Sequence, residues 1–488
     1  MMPWVGLALL LFVGAGVVTT GLPSAVVLLV AAGLGAIVGA ASGQVPLALL
    51  TALPERVISI LDNDLVQAIP LYVLMGSLIN RLPLADALFR GSLAILPRSP
   101  AAPVVSGIAL GALLGPMNGS VGASVIALSR VVAPRLAAFG IPLPRRAAVI
   151  AVASTLGVVV PPSLVLILLG DAMLAAHTIA VTTTGRADQV INTQDVFHGS
   201  LAPAVIYLVA CLVLAWWFNR QVTPETPEAA ATPLGKQQAM LAVFALLAIL
   251  TLLGGVAAGY FYAVEAAAMG GFALLVAGFV SGRLSFPVLN ELLRDVLALT
   301  GALFFLLIAA TTLTLVLRML GTDGLVAGWI AAISGGRLKV VALVLGGIWL
   351  SALVLDAFEL IFVVVPIVIP PLLIRVDDAV WVAVLVLLVV QTSFLDPFIG
   401  YSLMMTRTVL RESIGFLALL RSLLPFLLAQ WALLIVVLLV PQLVHIGQND
   451  AERSREPPGI SSQELNRRLQ EMLAPPPDST NDSAAPAK

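Results

Sequence analysis

Charged side chains are scarce in this sequence. Asp, Glu, Lys and Arg together make up 10% of the 488 residues, whereas soluble globular domains carry about 25%. Hydrophobic residues make up 60% of the chain, and the mean hydropathy is +1.07. This composition excludes a soluble domain, and the formal net charge of −1 gives no electrostatic reason to expect a nucleic-acid partner.

Cysteine and histidine are also rare, with one and three residues. The single cysteine, Cys211, lies in an apolar run, so one chain cannot form a disulfide or a cysteine-based metal site. His177, His198 and His445 stand at the ends of apolar runs, which disfavours an intramembrane protease because its nucleophile needs a base nearby. The sequence contains neither a GxxxxGK[ST] phosphate-binding loop nor an HExxH zinc motif. We therefore predict no enzymatic activity and no cofactor.

Apolar runs of about 20 residues, the length of a helix that crosses the hydrocarbon core, recur along most of the chain. Their residues do not alternate between apolar and polar, as the strands of a membrane barrel do. We predict an all-α, polytopic membrane protein with about ten to twelve membrane elements. The clearest runs cover residues 199–217, 239–259, 262–281, 296–317 and 415–440.

Polar segments divide this apolar pattern. Residues 219–238 are rich in Pro, Thr and Glu, which indicates an extramembrane linker between two halves. Residues 447–488 combine a run of three prolines with mixed charges, which is typical of a mostly disordered tail. The first 41 residues lack a basic n-region and a cleavage site. We therefore predict two helices joined at residues 21–23 and no removable signal peptide.

Arginines flank the segment 101–133 on both sides. Because positive residues accumulate in cytoplasmic loops, both flanks are predicted to be cytoplasmic, and the segment must turn back within the membrane. Its middle, residues 115–122 (GPMNGSVG), is rich in helix breakers and is typical of the tip of a re-entrant hairpin. The flanking arginines are Arg81, Arg90 and Arg98 before the segment and Arg135, Arg145 and Arg146 after it.

The next apolar run, residues 147–173, contains the sequence VPPS at 160–163 near its middle. Proline supplies no amide proton and its ring clashes with the preceding turn, so the helix is predicted to break there. Carbonyl groups freed within hydrocarbon are tolerated only where they line a cavity or meet a partner group. The break therefore indicates a binding site.

The second half repeats this layout at a constant offset. Pro134 and Pro161 are 27 residues apart, and so are Pro370 and Pro397, which gives an offset of 236 between the pairs. Two halves that each contain a hairpin and a broken helix, in opposite orientations, are expected of transporters whose site lies at the midplane. We therefore predict two inverted repeats.

The offset also places a second hairpin tip around Asp356 and a second polar break at 391–397. Together these signals divide the chain into six parts. They are scaffold helices at 1–97, a first repeat at 98–218 with hairpin 101–137 and broken helix 143–173, a linker at 219–238, further scaffold helices at 239–335, a second repeat at 336–446 with hairpin 338–374 and broken helix 379–407, and the tail at 447–488.

Four stretches resemble the large permease subunit of tripartite ATP-independent periplasmic (TRAP) transporters, within the broader ion-transporter superfamily. The resemblance covers about residues 1–445, and its last stretch is most similar to the mannitol/chloroaromatic-type branch. The stretches are AIPLYVLMG at 68–76, GS at 119–120 with VPPS at 160–163, VEAAAMG at 264–270, and LDAFE at 355–359 with QTSF at 391–394.

This resemblance implies an elevator-type transporter of the bacterial inner membrane that couples transport to sodium. It also implies a small four-helix membrane subunit and a periplasmic binding protein that delivers a small organic anion. The chain departs from the family at residues 395–400, which read LDPFIG where the family usually has Thr-Pro-Pro-x-Gly. Asp396 therefore adds a carboxylate where ion choice and substrate could change.

Polar residues at the breaks are the candidate ligands. Sodium prefers oxygen ligands, which hydroxyl groups, carboxylates and uncoiled carbonyl groups supply. We predict a first ion site from Asn118, Gly119, Ser120, Gly122, Pro161 and Ser163, and a second from Asp356, Thr392, Ser393 and Asp396. The predicted substrate-binding residues are Ser120, Pro162, Ser163, Glu359, Pro397 and Gly400, with half-helix N-termini near Ser163 and Ile399 favouring a carboxylate.

These residues also have simpler interpretations. The small residues of the first set could merely let helices pack closely, and Asp356 and Glu359 could cap half-helices or pair with Arg318 or Arg407. We predict that Glu265 anchors a helix end, that Asp171 is a solvated helix terminus and that both arginines snorkel to the interface.

The family resemblance leaves two functions open. One is a sodium-coupled TRAP subunit for a carboxylate, such as a 2-oxo or hydroxy acid. The other is a stand-alone carboxylate transporter or sodium/proton antiporter of the same superfamily, since intramembrane carboxylates suit proton coupling equally well.

Overall fold

A computed structural model describes residues 2–43, 51, 53–96, 99–186, 190–221, 235–397, 400–411 and 414–446. Most of the predicted linker, the tail, Arg98 and Ile399 lie outside these residues. Every regular element in the described part is helical, as the composition predicts. Ten of these helices are long and apolar enough to cross a membrane, or up to eleven if the bent pair 53–61 and 65–81 counts as one span.

Among its described residues, the first half contains ten helices and a short 3-10 turn at Gly115–Asn118. As predicted, the chain begins with two helices joined at residues 21–23. The helices are α1 (Pro3–Thr20), α2 (Ser24–Ala41), α3 (Leu53–Leu61), α4 (Asp64–Arg81), α5 (Leu84–Ile95), α6 (Ala102–Leu114), α7 (Val121–Ala138), α8 (Leu143–Val159), α9 (Leu164–Thr184) and α10 (Thr193–Asn219).

The second half contains ten more helices, a π-helical turn at Leu360–Val364 and a 3-10 turn at Pro441–His445. The helices are α11 (Lys236–Ala257), α12 (Ala263–Val280), α13 (Phe286–Met319), α14 (Thr322–Ala332), α15 (Arg337–Ala352), α16 (Ala357–Glu359), α17 (Val365–Arg375), α18 (Ala379–Phe394), α19 (Tyr401–Leu410) and α20 (Phe416–Leu439).

The offset of 236 relates the helices of the two halves. Residue 379, where α18 begins, lies 236 residues after residue 143, where α8 begins. The packing follows the same relation: α2 packs on α13 while their counterparts α12 and α4 pack together, and α9 packs on α17 while α19 packs on α7. Such exchanged pairs are what a two-fold relation between interlocked repeats produces.

The two hairpins enter from opposite ends of the molecule. Helices α8 and α9 form one span of 42 residues from Leu143 to Thr184. The first hairpin ends beside the start of this span, since only residues 139–142 separate α7 from α8. The second hairpin ends beside the other end of the span, because Asp377, just after α17, pairs with Arg186, just after α9. The repeats are therefore inverted, as predicted.

We call these two ends the basic end and the distal end. The basic end carries Arg135, which pairs with Asp86, and Arg145, which donates to the carbonyl oxygen of Phe218. The distal end carries the pair of Arg186 with Asp377. By the positive-inside rule the basic end is predicted to face the cytoplasm.

The first halves of both broken helices form the centre of the molecule. All 16 residues of α18 are buried, and so are the residues of α8 from Ala147 to Val159. Helices that are apolar on every face belong in such an interior. This central position explains why an interruption in either helix opens onto protein and not onto lipid.

The broken helices extend beyond their predicted ends. The first continues to Thr184, eleven residues past residue 173, and ends at Gly185 in the left-handed conformation (φ +64°). Asp171 is therefore the eighth residue of α9 and not a solvated terminus, so this prediction was wrong. The second broken helix ends at Leu410 instead of 407, and the second hairpin runs from Arg337 to Arg375.

Candidate functional site

The tip of the first hairpin loses regular helical structure between α6 and α7. Gly119 adopts a left-handed conformation (φ +70°), which only glycine reaches without strain. Ser120 is extended, and its Oγ accepts a hydrogen bond from the backbone N–H of Ala123 at 3.1 Å, so it caps α7. The predicted re-entrant tip is therefore an N-capped turn.

Glycine allows this tip to approach α8 and α4 closely. A Cβ atom on Gly115 would lie 2.6 Å from the Cα of Gly157, and one on Gly76 would lie 2.8 Å from the Cα of Asn118. Contacts this short exclude any side chain. Gly76, Gly115 and Gly157, none of which belongs to the predicted site, therefore serve close packing here.

The break between α8 and α9 falls at residues 160–163, as the two prolines predict. Ser163 closes it: its Oγ accepts from the backbone N–H of Leu166 at 3.1 Å and donates to the carbonyl oxygen of Val158 at 2.8 Å. One hydroxyl group thus connects the C-terminal end of α8 with the N-terminal end of α9. The Pro161–Pro162 peptide bond is cis.

A small cavity lies where the hairpin tip meets this break, and we call it the serine cavity. Its volume is about 20 Å³, which is room for one water molecule. Gly119 and the start of the 3-10 turn that follows α6 contribute to its wall, together with Gly157 and Val158 at the end of α8. The hydroxyl-bearing residues that line it are Ser120, Ser124, Ser154 and Ser163.

Asn118 adjoins the serine cavity through Ser124. Its Nδ2 donates to the Ser124 Oγ at 3.1 Å, while its Oδ1 is buried and has no hydrogen-bond partner among the described residues. A buried carbonyl oxygen without a donor costs roughly 1–3 kcal/mol. Such an oxygen is a ready ligand for a cation.

Pro162, predicted to bind substrate, and Gly122, predicted for the first ion site, do not line the serine cavity. Pro162 lines a separate apolar pocket with Tyr72, Met75 and Met117. Gly122 faces Tyr401, since a Cβ atom on Gly122 would lie 2.6 Å from the tyrosine Oη.

At the tip of the second hairpin, Asp356 and Glu359 form a capping box. Asp356 Oδ1 accepts from the backbone N–H of Ala357 at 2.7 Å, and Glu359 Oε2 accepts from the backbone N–H of Asp356 at 3.2 Å. Glu359 also bonds to the side chain of Ser24 at the start of α2. Of the simpler interpretations, helix capping is therefore the one that the structure shows. Asp356 is nevertheless exposed.

At the second break, after α18, two hydroxyl groups donate to carbonyl oxygens of their own helix. Thr392 and Ser393 donate to the carbonyl oxygens of Leu388 and Val390 at 2.7 Å each. Gly400 is buried, and its N–H donates to the carbonyl oxygen of Asp396 at 2.9 Å. Asp396 and Pro397 are both partly buried.

Three residues outside the predicted set connect the repeats, namely Ser154, Tyr401 and Ser402. Tyr401, the first residue of α19, lies near Asp356 as well as Gly122. Ser402 bonds to the Ser154 Oγ at 2.8 Å and donates to the carbonyl oxygen of Ala151 at 2.9 Å. Each is polar within or beside an apolar run, which is the only sequence signal that marks them.

Of the three remaining candidates, Glu265 and Arg318 have structural partners. Glu265 Oε2 accepts from the backbone N–H of Tyr262 at 2.9 Å and caps α12, so it anchors a helix end. Arg407 is exposed, and Arg318 donates to the carbonyl oxygen of Pro366 at 3.4 Å.

Comparison with known proteins identifies this architecture. The profile of the DctM component of the tripartite ATP-independent periplasmic transporters matches residues 7–443. The chain belongs to this family. It is thus a large TRAP permease of the inner membrane and a transport component, not an enzyme. Large permeases of the family work with a small membrane subunit and a periplasmic binding protein.

The relatives of this chain are named for different transported compounds. The chain is 23% identical to the C4-dicarboxylate TRAP large permease of Rhodobacter capsulatus over 77% of this chain and 85% of that one. It is 21% identical to the 2,3-diketo-L-gulonate large permease of Escherichia coli over 78% and 86%. For the sialic acid TRAP permease of Haemophilus influenzae, the identity is 22% over 81% of this chain and 61% of that protein.

The fold also resembles a solved structure. The Alcanivorax borkumensis YdaH transporter, described as having an unusual topology, superposes with a TM-score of 0.56 at 17% identity. The match covers 81% of this chain and 88% of that one. The predicted TRAP permease and its helical transporter fold are confirmed, while the mannitol/chloroaromatic branch, sodium coupling and elevator motion stay predictions.

Proposed function

We propose that this permease imports a small organic anion on a sodium gradient, together with a small four-helix membrane subunit and a periplasmic binding protein. The observation that carries the proposal is the serine cavity, which has room for one small ion where two helices lose their regular hydrogen bonding. Its walls supply oxygen atoms in neutral groups, the ligands that sodium prefers.

Helix ends around the serine cavity favour a cation. Gly115 and Pro116 follow the C-terminal end of α6, and Gly157 and Val158 belong to the C-terminal end of α8. Helix C-terminal ends carry partial negative charge, and in transporters such ends and uncoiled carbonyl groups coordinate sodium. The unpartnered Oδ1 of Asn118 adds a further oxygen close by.

Helix starts at the same breaks favour an anion. Ser120 and Ser163 begin α7 and α9, and Gly400 begins α19. Helix N-terminal ends carry partial positive charge and bind carboxylate groups of substrates in broken-helix transporters. The relatives are named for carboxylates, which supports a substrate of that class. We extend the proposal to a second cation at Asp356 and its neighbours, where the carboxylate is exposed.

Uptake by proteoliposomes tests the proposal. The permease is reconstituted with its small subunit and binding protein, and a sodium gradient is compared with a proton gradient over dicarboxylates, 2-oxo acids and sugar acids. Ser120→Ala and Ser163→Ala are expected to abolish sodium-driven uptake. Ser129→Ala is the matched control, because Ser129 is buried on α7 but does not line the serine cavity.

Three outcomes would contradict the proposal. Uptake driven by protons alone would favour the antiporter-like alternative, and uptake without a binding protein would favour the stand-alone transporter. Undiminished uptake by both serine variants would remove the serine cavity from the mechanism.

A further inference from the structure

A second, larger cavity lies toward the distal end, and we call it the distal cleft. Its volume is about 280 Å³, close to the lower limit for sites that bury a small molecule. It opens between α4, α9, α13 and the π-helical turn of the second hairpin. Its polar side chains include Asn63, Asp171, Thr311, Thr314 and Arg318.

The second hairpin is irregular beside this cleft because two prolines lack amide protons. Pro366 cannot donate to the carbonyl oxygen of Phe362 four residues earlier, and Pro370 cannot donate to that of Pro366. Helix α13 brings a donor to each of these carbonyl oxygens. The Thr314 hydroxyl group lies 2.9 Å from the carbonyl oxygen of Phe362 and 2.9 Å from that of Ala310 in its own helix, and Arg318 Nη2 donates to the carbonyl oxygen of Pro366 at 3.4 Å. The π-helical turn at 360–364 and the residues just after it therefore lie against Thr314 and Arg318.

Most of the Arg318 guanidinium remains available to the cleft. Its hydrogen bond to Pro366 is at the limit of length, and the group carries five N–H donors. Among the described residues, no Asp or Glu side chain forms an ion pair with Arg318. An anion in the cleft would satisfy the remaining donors of this guanidinium, whereas the predicted snorkelling does not explain a side chain bonded to the hairpin.

Another wall of the distal cleft, formed by α9, carries the carboxyl group of Asp171. Asp171 Oδ1 accepts from Asn63 Nδ2 at 3.4 Å, and the Asn63 Oδ1 already accepts from the backbone N–H of Leu65. A second carboxylate on a ligand would be repelled by Asp171, whereas a hydroxyl group could donate to it.

We infer that the distal cleft binds a hydroxylated monocarboxylate, such as a sugar acid or a hydroxy acid, in preference to a dicarboxylate. Arg318 holds the carboxylate, and Asp171 accepts hydrogen bonds from the hydroxyl groups. Since the cleft lies on the part of α9 that leads to Arg186, it is an entry site on the predicted periplasmic side. This inference rests on the proposed function and narrows its substrate class.

Cysteine protection tests the inference directly. Ala175 is exposed and lines the cleft, so an Ala175→Cys variant places a thiol within it. Thr178→Cys is the control on the same helix, exposed but outside the cleft, and the single native cysteine is buried. The reconstituted permease with its small subunit is treated with a maleimide, with and without gluconate, glycerate or succinate.

We expect gluconate and glycerate, but not succinate, to slow modification of the cysteine at 175 and to leave that at 178 unchanged. Arg318→Gln should raise the concentration needed for protection about 10- to 100-fold, as expected for a lost charge-assisted hydrogen bond. Arg318→Lys should retain part of the protection. Arg294 is an exposed arginine on the same helix, and Arg294→Gln should leave the protection unchanged. Asp171→Asn should allow succinate to protect.

Three results would overturn the inference: no protection by gluconate or glycerate, protection that survives in Arg318→Gln, or equal protection by succinate in the parent protein. The assay applies no ion gradient, so it is independent of sodium coupling. Intact protection without sodium-driven uptake would refute the proposed function alone, and sodium-driven uptake without protection would refute this inference alone.

Discussion

The two hairpins share a topology and an offset of 236 residues but differ in chemistry. Ser120 caps the return helix of the first, and Asp356, 236 residues later, caps that of the second. A serine cap leaves the positive helix end free of a compensating charge, whereas an aspartate cap neutralises it. The two caps therefore differ by one carboxylate, which only the second hairpin carries.

The hairpins also differ in how closely they pack. Gly115 and Gly157 bring the first tip into backbone contact with α8, while the equivalent positions in the second repeat are Ser351 and Ser393. Accordingly α7 packs on α8, and the return helix α17 packs on α9. The first tip is tight around the serine cavity, whereas the second hairpin lines the distal cleft with Phe362 and Pro366 of its return arm.

The largest expected effect comes from removing the charge of the second hairpin while keeping its cap. Asparagine caps helices as well as aspartate does, so Asp356→Asn should retain the thermal stability of the purified permease. Coupled uptake in proteoliposomes should nevertheless be abolished, because the exposed carboxylate is lost. Normal uptake would show that Asp356 serves only as a cap, and the difference between the two tips would then carry no function.

Next in size is the contact between glycines. Gly157→Ala places a Cβ against the backbone of Gly115, and overpacking of this kind costs about 1–3 kcal/mol. The repeat-related substitution Ser393→Ala removes one hydroxyl group that bonds its own helix, so its cost should be smaller. Thermal unfolding of the two variants compares them directly. Equal melting temperatures would mean that the first hairpin is packed no more tightly than the second.

Local chemistry explains which features the sequence predicts. Proline and glycine act within a few residues, so VPPS at 160–163 and the repeated proline spacing predict both breaks and the repeat. The direction of Pro162 and the partners of Tyr401 depend on helices distant in the chain. Arg318 and Asp171, 147 residues apart, share the distal cleft only through tertiary packing. Gly185, in contrast, is a local signal for the C-terminal end of α9, and it lies beyond the end predicted at residue 173.

The smallest expected effect concerns the hydrogen bond from the Thr314 hydroxyl group on α13 to the second hairpin. Thr314→Val leaves the Phe362 carbonyl oxygen without its partner, which costs about 1–3 kcal/mol if the group stays buried. Thr312→Val is the matched control, since its hydroxyl group donates only to the carbonyl oxygen of Ile308 in its own helix. The first hairpin has no such dependence, because the position equivalent to Thr314 is Leu78. Thermal unfolding should therefore separate the two threonine variants, and equal melting temperatures would show that water replaces the lost donor at the second hairpin.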